Sequence, residues 1–310
     1  MERAAERHPE WGVTVEDRRY TPDQLQALAE TLRQSAGKTF WRTDAGRFAG
    51  WQDMNGAFYD YGFTFVNLEA VYYGFASPEQ AESIFAWLDG KRTIRDDTST
   101  GADIYRWRFG PRATTKRNTE TYVWCWSKPE NILFGDQVQD GGAVLGFSYF
   151  GLMARIKTNG PDDAWRRLRE ILAWFDEVQQ EGGYRAYYAK PGRGILQGGG
   201  PPGGLGMDQE FMESVMVPQV MVYGFMGLKA DPEGLTVHPR LPTGWSSLTI
   251  SGVRIHDHVV DLTVYPHGRI QARSVRTGAA PLRIRSSEGS ETTLPGMRVT
   301  HLDAPRQASR

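Results

Sequence analysis

The stretch that decides the fold runs from Gly198 to Leu228 and reads GGGPPGGLGMDQEFMESVMVPQVMVYGFMGL. Glycine and proline open it as a loop that lets a ligand approach the backbone closely. The apolar residues that follow predict a long buried helix. Three carboxylates stand at the start of that helix, on Asp208, Glu210 and Glu213. They are either N-terminal capping groups or part of a site.

Upstream of this stretch, apolar residues recur at helical spacing in several segments, and breaks between the segments are short. Thr21-Pro22 predicts an N-cap and a helix start, and Gly37 is expected to close that helix. Two helices joined by a short turn form an antiparallel hairpin. The further predicted helices cover residues 63–75, 78–89, 141–157 and 161–181.

After Leu228 the pattern changes to alternation of apolar and polar residues, with turns at Thr243-Gly244, Ser251-Gly252 and His267-Gly268. A period of two with such turns predicts an antiparallel β module. The clearest boundary lies at Asp231-Pro232. The expected organisation is therefore a helical domain over residues 1–230 and a β domain over residues 231–310.

The composition excludes several classes of protein. The chain has 310 residues and a formal net charge of −1, so nothing indicates a nucleic-acid or membrane-surface partner. No apolar run is long enough to span a membrane, and the N-terminus lacks the features of a signal peptide. A cytoplasmic location is the default expectation.

Histidine and cysteine are nearly missing from the helical part. No histidine lies between residues 9 and 237, and the single cysteine is Cys125 in an apolar run. A Ser-His-Asp relay, a Cys-His pair and a His-ligated zinc site are therefore excluded there. His256 and His258 flank Asp257 and are expected on one face of a strand, where an exposed face is the better interpretation than a metal site. We expect no metal site.

Carboxylates remain, and paired carboxylates are the groups that cleave glycosidic bonds. They cluster where loops meet helix starts, and Asp53 and Asp140 belong to two such clusters. Asp140 serves equally well as a cap for the helix expected from Gly141. Asp53 stands near Trp51 and Tyr59, which suits sugar stacking better than capping.

The carboxylates of the opening stretch keep two interpretations each. Asp208 is well placed as a plain N-cap, and Glu210 then favours the helix dipole. Glu213 lies a full turn further in beside an apolar run, where a carboxylate without a purpose would be costly. We therefore favour a function for Glu213. For Asp96-Asp97 and Asp103, the spacing differs from a calcium loop and a polar turn is the better interpretation.

Three segments resemble the six-hairpin glycosidases. Residues 235–248, LTVHPRLPTGWSSL, are similar to the start of the C-terminal β-sandwich in α-L-rhamnosidases, inverting α-L-fucosidases and related phosphorylases. The segment GWQDMNG at 50–56 resembles the sugar-binding loop of these toroids, and QDGG at 139–142 resembles their Glu/Gln-Asn-Gly-Gly element. The resemblance covers roughly residues 40–265.

The resemblance implies a mainly α protein with a C-terminal β module, namely an (α/α)6 toroid followed by an antiparallel β-sandwich. It implies inverting hydrolysis of an oligosaccharide or glycoside by two carboxylates, with no cofactor. Asp208 or Glu213 would activate water, and Asp53 or Asp140 would hold the sugar or give the proton. The residues expected to contact substrate are Trp51, Tyr59, Asp60, Arg112 and Glu210.

A full toroid has twelve helices, whereas the sequence predicts about six before the β module. The toroid is therefore expected to be partial. It would be the C-terminal portion of a longer enzyme, or it would complete its ring by association with a second copy. The alternative is a non-catalytic sugar-binding or structural module with a degenerate toroid.

Overall fold

A computed structural model describes residues 12–120, 133–135, 137–191, 212–231, 234–278, 280–287, 291–294 and 299–302. Helices dominate up to residue 225, and strands dominate from Leu228 onward. The coarse prediction of a helical part followed by a C-terminal sheet region is therefore confirmed. Six α-helices lie within the described ranges.

The described chain begins with a small hairpin, β1 (Val13–Val15) and β2 (Arg18–Tyr20), followed by helix α1 (Pro22–Phe40). Thr21 caps α1 as predicted, because its side chain accepts the Gln24 N–H while the Gln24 side chain accepts the Thr21 N–H. The expected stop at Gly37 is wrong. Gly37 keeps a helical backbone inside α1, which continues to Phe40.

Two short hairpins follow, and they build one side of the candidate site. The first pairs β3 (Trp41–Arg42) with β4 (Arg47–Phe48). The second pairs β5 (Trp51–Gln52) with β6 (Phe58–Tyr59). This aromatic segment contains GWQDMNG at 50–56, which was expected to form a sugar-binding loop. Its conformation is instead set by the two short ladders, and both residues of β4, Arg47 and Phe48, are buried.

The next two helices agree with the predicted hairpin. Helix α2 (Thr64–Tyr72) ends shortly before Gly74, which has a φ of +76° that favours glycine. Helix α3 (Pro78–Leu88) begins after Ser77, whose side chain accepts the Gln80 N–H in a capping box. A buried apolar cluster joins α3 to α2 and to Phe48, and its members include Leu68, Ile84, Trp87 and Leu88.

Helix α4 (Phe147–Thr158) begins six residues later than the predicted start at Gly141. Gly141 has a φ of +89°, and Gly142 N–H donates to the Gln137 carbonyl, so a tight turn occupies the segment instead. Helix α5 (Pro161–Gln180) begins after Gly160 as predicted. The short helix α6 (Tyr184–Tyr188) completes the core of this part, where Trp174 donates to the Tyr188 hydroxyl.

Arg155 joins three elements of the helical part. Its guanidinium is 1 % exposed, and it pairs with Asp89 after α3 and with Asp163 in α5. Burial lowers the pKa of Arg155, but the neighbouring Tyr105 hydroxyl and Asp89 carboxylate raise it more, so it stays protonated. The Tyr105 hydroxyl accepts a further bond from Arg155 Nη2 at 3.2 Å. The ion pairs therefore hold α3, α4 and α5 together.

Asp163 gives this cluster a predictable response to acid. Burial raises the pKa of Asp163, but Arg155 and the hydrogen bonds from Asn159 and Arg166 lower it by more. The resulting pKa is about 2, compared with the usual 3.8. A lowered pKa stabilises the fold fully above pH 3.8, and the stabilisation is lost as the pH falls toward 2. Asp163→Asn should cost about 1–3 kcal/mol at pH 7. Urea unfolding at several pH values should show the difference from wild type shrinking below pH 3.8, whereas a constant difference would contradict this assignment.

The predicted long α-helix of the opening stretch is not regular where the structure describes it. Met212–Gln219 forms a 3-10 helix that contains Pro218, and Met221–Phe225 forms a single π turn. Proline has no N–H to donate within a helix and its ring crowds the preceding turn, which explains the departure from α geometry. Residues 192–211, including the glycine-rich loop, lie outside the described ranges.

The C-terminal part contains two four-stranded sheets. The first orders β13 (Glu291–Leu294), β12 (Leu282–Ser286), β8 (Gly234–Val237) and β7 (Leu228–Asp231). The second orders β14 (Val299–Leu302), β11 (Ile270–Arg276), β10 (His258–Val264) and β9 (Leu248–Ile255). Alternate side chains of both sheets form one buried cluster that includes Leu235, Val260, Leu262, Ile270 and Ile284.

Two details of the β module differ from the expectation. Strands β8 and β12 run parallel, so the sheets are not antiparallel throughout. His256 and His258 do not share a strand face: His256 lies in the β9–β10 turn with a φ of +49°, and His258 is buried. The His258 ring accepts from Gly278 N–H through Nδ1 and bonds to the Ala280 carbonyl through Nε2, so both nitrogens are used within the module.

Aromatic contacts join the helical part to the β module. Trp245 packs edge-on against Trp165 of α5 at a centroid distance of 4.9 Å, and Phe225 contacts both rings. The Thr243 N–H and hydroxyl donate to the Asp162 carboxylate. Among the helices of the described residues, we find none that is both long and apolar enough to cross a membrane.

Candidate functional site

A cleft of about 930 Å³ lies between the two short hairpins and the segments 92–97 and 116–120. Charged groups of both signs and three aromatic rings line it. The lining residues include Tyr59, Asp60, Tyr61, Asp97, Arg117 and Glu120. Arg92 holds one edge in place, because it donates to the Ala45 and Gly46 carbonyls and to Ser83 of α3.

Arg47 organises the charges of the cleft wall. Its Nη1 and Nη2 donate to the two oxygens of Asp97 at 2.6 and 2.8 Å, and its Nε donates to Asp60 at 3.0 Å. The guanidinium lies 4.7 Å from the Trp87 ring centroid. Burial lowers the pKa of Arg47, but Asp97 and Asp60 raise it more. The guanidinium therefore stays charged and fixes both carboxylates.

Asp60 is the predicted substrate-contacting residue that lies at the edge of this network. Its carboxylate takes Arg47 Nε and the Gly62 N–H, and its side chain keeps 19 % exposure toward the cleft. A carboxylate oxygen has two lone pairs, so Asp60 can still accept a bond from a ligand hydroxyl. The Tyr61 hydroxyl donates to Glu120 on the same wall.

Trp51 and Tyr59, which the sequence placed at a sugar-stacking loop, stack on each other. Their centroids are 5.1 Å apart with an interplanar angle of 14°, so each ring covers one face of the other. Asp53 stands in the connecting turn, where one oxygen accepts the N–H groups of Asn55 and Ala57. Its second oxygen lies 3.4 Å from the Tyr59 hydroxyl. Asp53 therefore holds the turn that presents Tyr59 to the cleft.

Asp140 lies directly behind the cleft wall. Its side chain has no exposure, Oδ1 accepts the Asn118 N–H at 2.7 Å, and Oδ2 lies 2.9 Å from Nη2 of Arg117. Arg117 itself lines the cleft. Burial raises the pKa of Asp140 and outweighs the lowering effects of Asn118 and Arg117. Asp140 therefore keeps a proton to higher pH than an exposed aspartate.

Arg112 is buried and does not line the cleft. Its Nε and Nη2 donate to the two carboxylate oxygens of Asp103, and its Nη1 donates to the Gly141 carbonyl at 2.6 Å. The rings of Trp107 and Phe134 lie on the guanidinium at 4.9 and 4.8 Å. Arg112 therefore connects the 101–112 segment to the turn that carries Asp140.

The carboxylates of the opening stretch cannot be compared with this geometry. Asp208 and Glu210 lie outside the described residues, and for Glu213 only the backbone is described, within the 3-10 helix Met212–Gln219. Their roles stay predictions. The structure brings Tyr59, Asp60 and, through Arg117, Asp140 to one cleft, and it places Arg112 away from that cleft.

Arg47 and Arg117 were not among the predicted site residues, and Asp96-Asp97 and Asp103 were predicted to form a polar turn. Asp97 does lie in a turn, since its N–H donates to the Ile94 carbonyl, but the side chains of Asp97 and Asp103 also each hold a buried arginine. A buried arginine needs a carboxylate partner, but sequence spacing carries no signal for a pair fifty residues apart such as Arg47 and Asp97. Within the ranges described, no group of three or more metal-ligating side chains occurs.

Part of the chain is similar to a domain of a known protein family. Residues 228–289 match the model of the glycosyl hydrolase family 65 C-terminal domain. A putative kojibiose phosphorylase from the human microbiome is a structural neighbour with 10 % identity and a TM-score of 0.33, over 80 % of this chain and 24 % of that one. This chain thus spans about a quarter of that protein's length. No curated protein matches the sequence.

Proposed function

We propose that the protein takes a glycoside or oligosaccharide into the cleft beside Asp60 and acts on its glycosidic bond with two carboxylates. The observation that carries the proposal is the composition of the cleft. Tyr59 and Tyr61 supply ring surface, and Asp60, Glu120 and Arg117 supply acceptors and donors around it. A few fixed polar groups beside aromatic rings are suited to a small ligand with many hydroxyl groups.

Asp140 is the proposed proton donor. A general acid in glycoside cleavage needs a raised pKa, so that it still holds its proton when the bond breaks. Burial raises the pKa of Asp140, and its contact with Arg117 links it to the cleft wall. Rotation of the Arg117 side chain away from Asp140 would open the Asp140 carboxyl to the cleft.

The proposed base that activates water is Asp208 or Glu213, with Glu210 contacting the sugar. An inverting reaction places its two carboxyl groups about 6.5–9.5 Å apart, which leaves room for the attacking water. The helical hairpins would form part of an (α/α)6 toroid, with the two C-terminal sheets as its β-sandwich. A homo-oligomer or a longer chain would complete the ring, and no cofactor is required.

The match of residues 228–289 to a glycosyl hydrolase family supports a carbohydrate-active protein. It leaves hydrolysis and phosphorolysis as the two reactions to compare, since they differ only in whether water or phosphate attacks. The sugar itself, including an L-rhamnoside as the resemblance implies, is part of the proposal.

Single amide substitutions test the catalytic proposal. Asp140→Asn, Asp208→Asn and Glu213→Gln should each be assayed on nitrophenyl glycosides, with and without inorganic phosphate. Loss of an acid or base should lower kcat by roughly 10²–10⁴ while leaving sugar binding in place. Asp176→Asn, on the exposed face of α5, is the matched control. Unchanged activity in all three variants would contradict the proposal.

A non-catalytic sugar-binding module is the alternative, and one observation favours it. The two innermost carboxylates of the cleft, Asp60 and Asp97, are both fixed by Arg47 and so do not form an acid-base pair. In that case wild-type protein would bind sugar without turnover in either assay. Asp60→Asn would then weaken sugar binding, whereas Asp140→Asn would not.

A further inference from the structure

A second, smaller pocket lies on the outer face of α2, apart from the cleft. Its volume is about 310 Å³, and one face of α2 lines it through Val66, Glu69, Ala70 and, just past the helix end, Tyr73. These positions follow helical spacing, so their side chains share one face. The rings on the opposite side belong to Phe40, Phe48 and Phe75.

Glu69 is the single charged residue among those that line this pocket. Its side chain takes part in no hydrogen bond or ion pair within the described part of the chain. Burial raises the pKa of Glu69, with no lowering contribution from a nearby cation. A half-buried carboxylate without a counter-charge is costly, and proteins normally pair such groups.

The aromatic rings around Glu69 favour an organic cation as its counter-charge. Phe48 and Phe75 pack edge to face at 5.5 Å, which fixes two of the four rings in the wall. Tyr73 lies four residues after Glu69, and burial and the charges of Tyr72 and Glu69 raise its pKa. The faces of aromatic rings attract cations, above all alkylated ammonium groups that lose little hydration.

We propose that this pocket binds a small alkylammonium ion, with the Glu69 carboxylate as its counter-ion and the rings of Tyr73, Phe75 and Phe40 as its walls. The site is separate from the sugar cleft and does not depend on the proposed reaction. Charge complementarity identifies the ligand: an anion would face Glu69, and a neutral apolar group would leave the carboxylate unpaired.

Calorimetric titration of the full chain with tetramethylammonium chloride tests the proposal, at ionic strength held constant with sodium chloride. Saturable binding with a Kd on the order of 1 mM is expected, since a carboxylate and a few rings recognise a very small ligand. Neopentyl alcohol, a neutral molecule of similar size and branching, should bind at least tenfold more weakly, because it lacks the charge. Equal binding of the alcohol would overturn the proposal.

Two variants and one control assign the binding to this pocket. Glu69→Gln should weaken tetramethylammonium binding about tenfold or more, and Tyr73→Leu about threefold. Glu82→Gln removes a similar charge from the exposed face of α3 and should leave the Kd within about twofold. Because Glu69 has no described partner, Glu69→Gln should not lower the unfolding midpoint, so loss of binding cannot come from loss of the fold.

Retained binding in Glu69→Gln would overturn the assignment. A second pair of results would also overturn it: the wild-type protein binds no tetramethylammonium, and sedimentation shows that Glu69→Gln dissociates a dimer. In that case a side chain of a second copy of the chain would occupy the pocket. Sugar turnover is a separate readout. If the protein binds no tetramethylammonium, the rate of sugar turnover is still expected to be the same. If the protein turns over no sugar, tetramethylammonium binding is still expected.

Discussion

Replacing Arg47 with methionine should lower the free energy of unfolding by about 3–5 kcal/mol. The methionine fills much of the volume but leaves Asp97 and Asp60 facing each other without a cation. The side chain of Asp97 is 1 % exposed, so water cannot replace the lost bonds. Urea unfolding followed by tryptophan fluorescence measures the loss.

A double variant separates the stability lost through unpaired charges from the stability lost through changed packing at Arg47. Arg47→Met combined with Asp97→Asn should recover part of the stability, because one of the two unpaired charges is removed. Arg95→Met is the matched control, since its side chain is 96 % exposed and should change stability by less than about 1 kcal/mol. A loss in Arg47→Met no larger than that of the control would show that this network does not hold the cleft wall.

Arg155→Met should cost a similar amount, about 3–5 kcal/mol. Here the uncompensated carboxylates are Asp89 and Asp163, and the Tyr105 hydroxyl loses its donor. Since these groups lie on three different elements, the helical core should loosen as a unit. Hydrogen exchange of α3, α4 and α5 should therefore accelerate together.

Arg166→Met provides the comparison for Arg155. It pairs with the same Asp163, but its side chain is 53 % exposed, so its loss should cost about 1 kcal/mol or less. A double-mutant cycle of Arg155→Met with Asp89→Asn should show a coupling energy of about 1–3 kcal/mol. Additive effects of these two changes would contradict a direct ion pair.

Local signals account for what the sequence predicted well. Thr21 and Ser77 form capping boxes with Gln24 and Gln80, and Gly160-Pro161 starts α5, because caps and proline act within one turn of the chain. The change to strands near Leu228 was equally visible, since alternation is a local pattern. Gly37 misled the prediction because a glycine inside a helix costs only about 1 kcal/mol.

Long-range pairing accounts for what the sequence could not predict. Asp97 and Asp103 resemble surface turn residues until the fold brings Arg47 and Arg112 to them. The parallel pairing of β8 with β12 likewise joins residues about fifty positions apart, which no local pattern reports. In the opening stretch, Pro218 was the readable sign of an irregular helix. The roles of Asp208, Glu210 and Glu213 in that stretch stay predictions.

Turnover of glycosides by the wild-type protein tests the central claim most directly. Purified chain should be incubated with a panel of nitrophenyl α- and β-glycosides, including L-rhamnosides, with and without inorganic phosphate. The proposal predicts saturable release of nitrophenol from at least one glycoside, and it predicts that free sugar occupying the cleft beside Asp60 inhibits this release. No release from any glycoside would contradict it, and sugar binding at that cleft without release would favour the non-catalytic module instead.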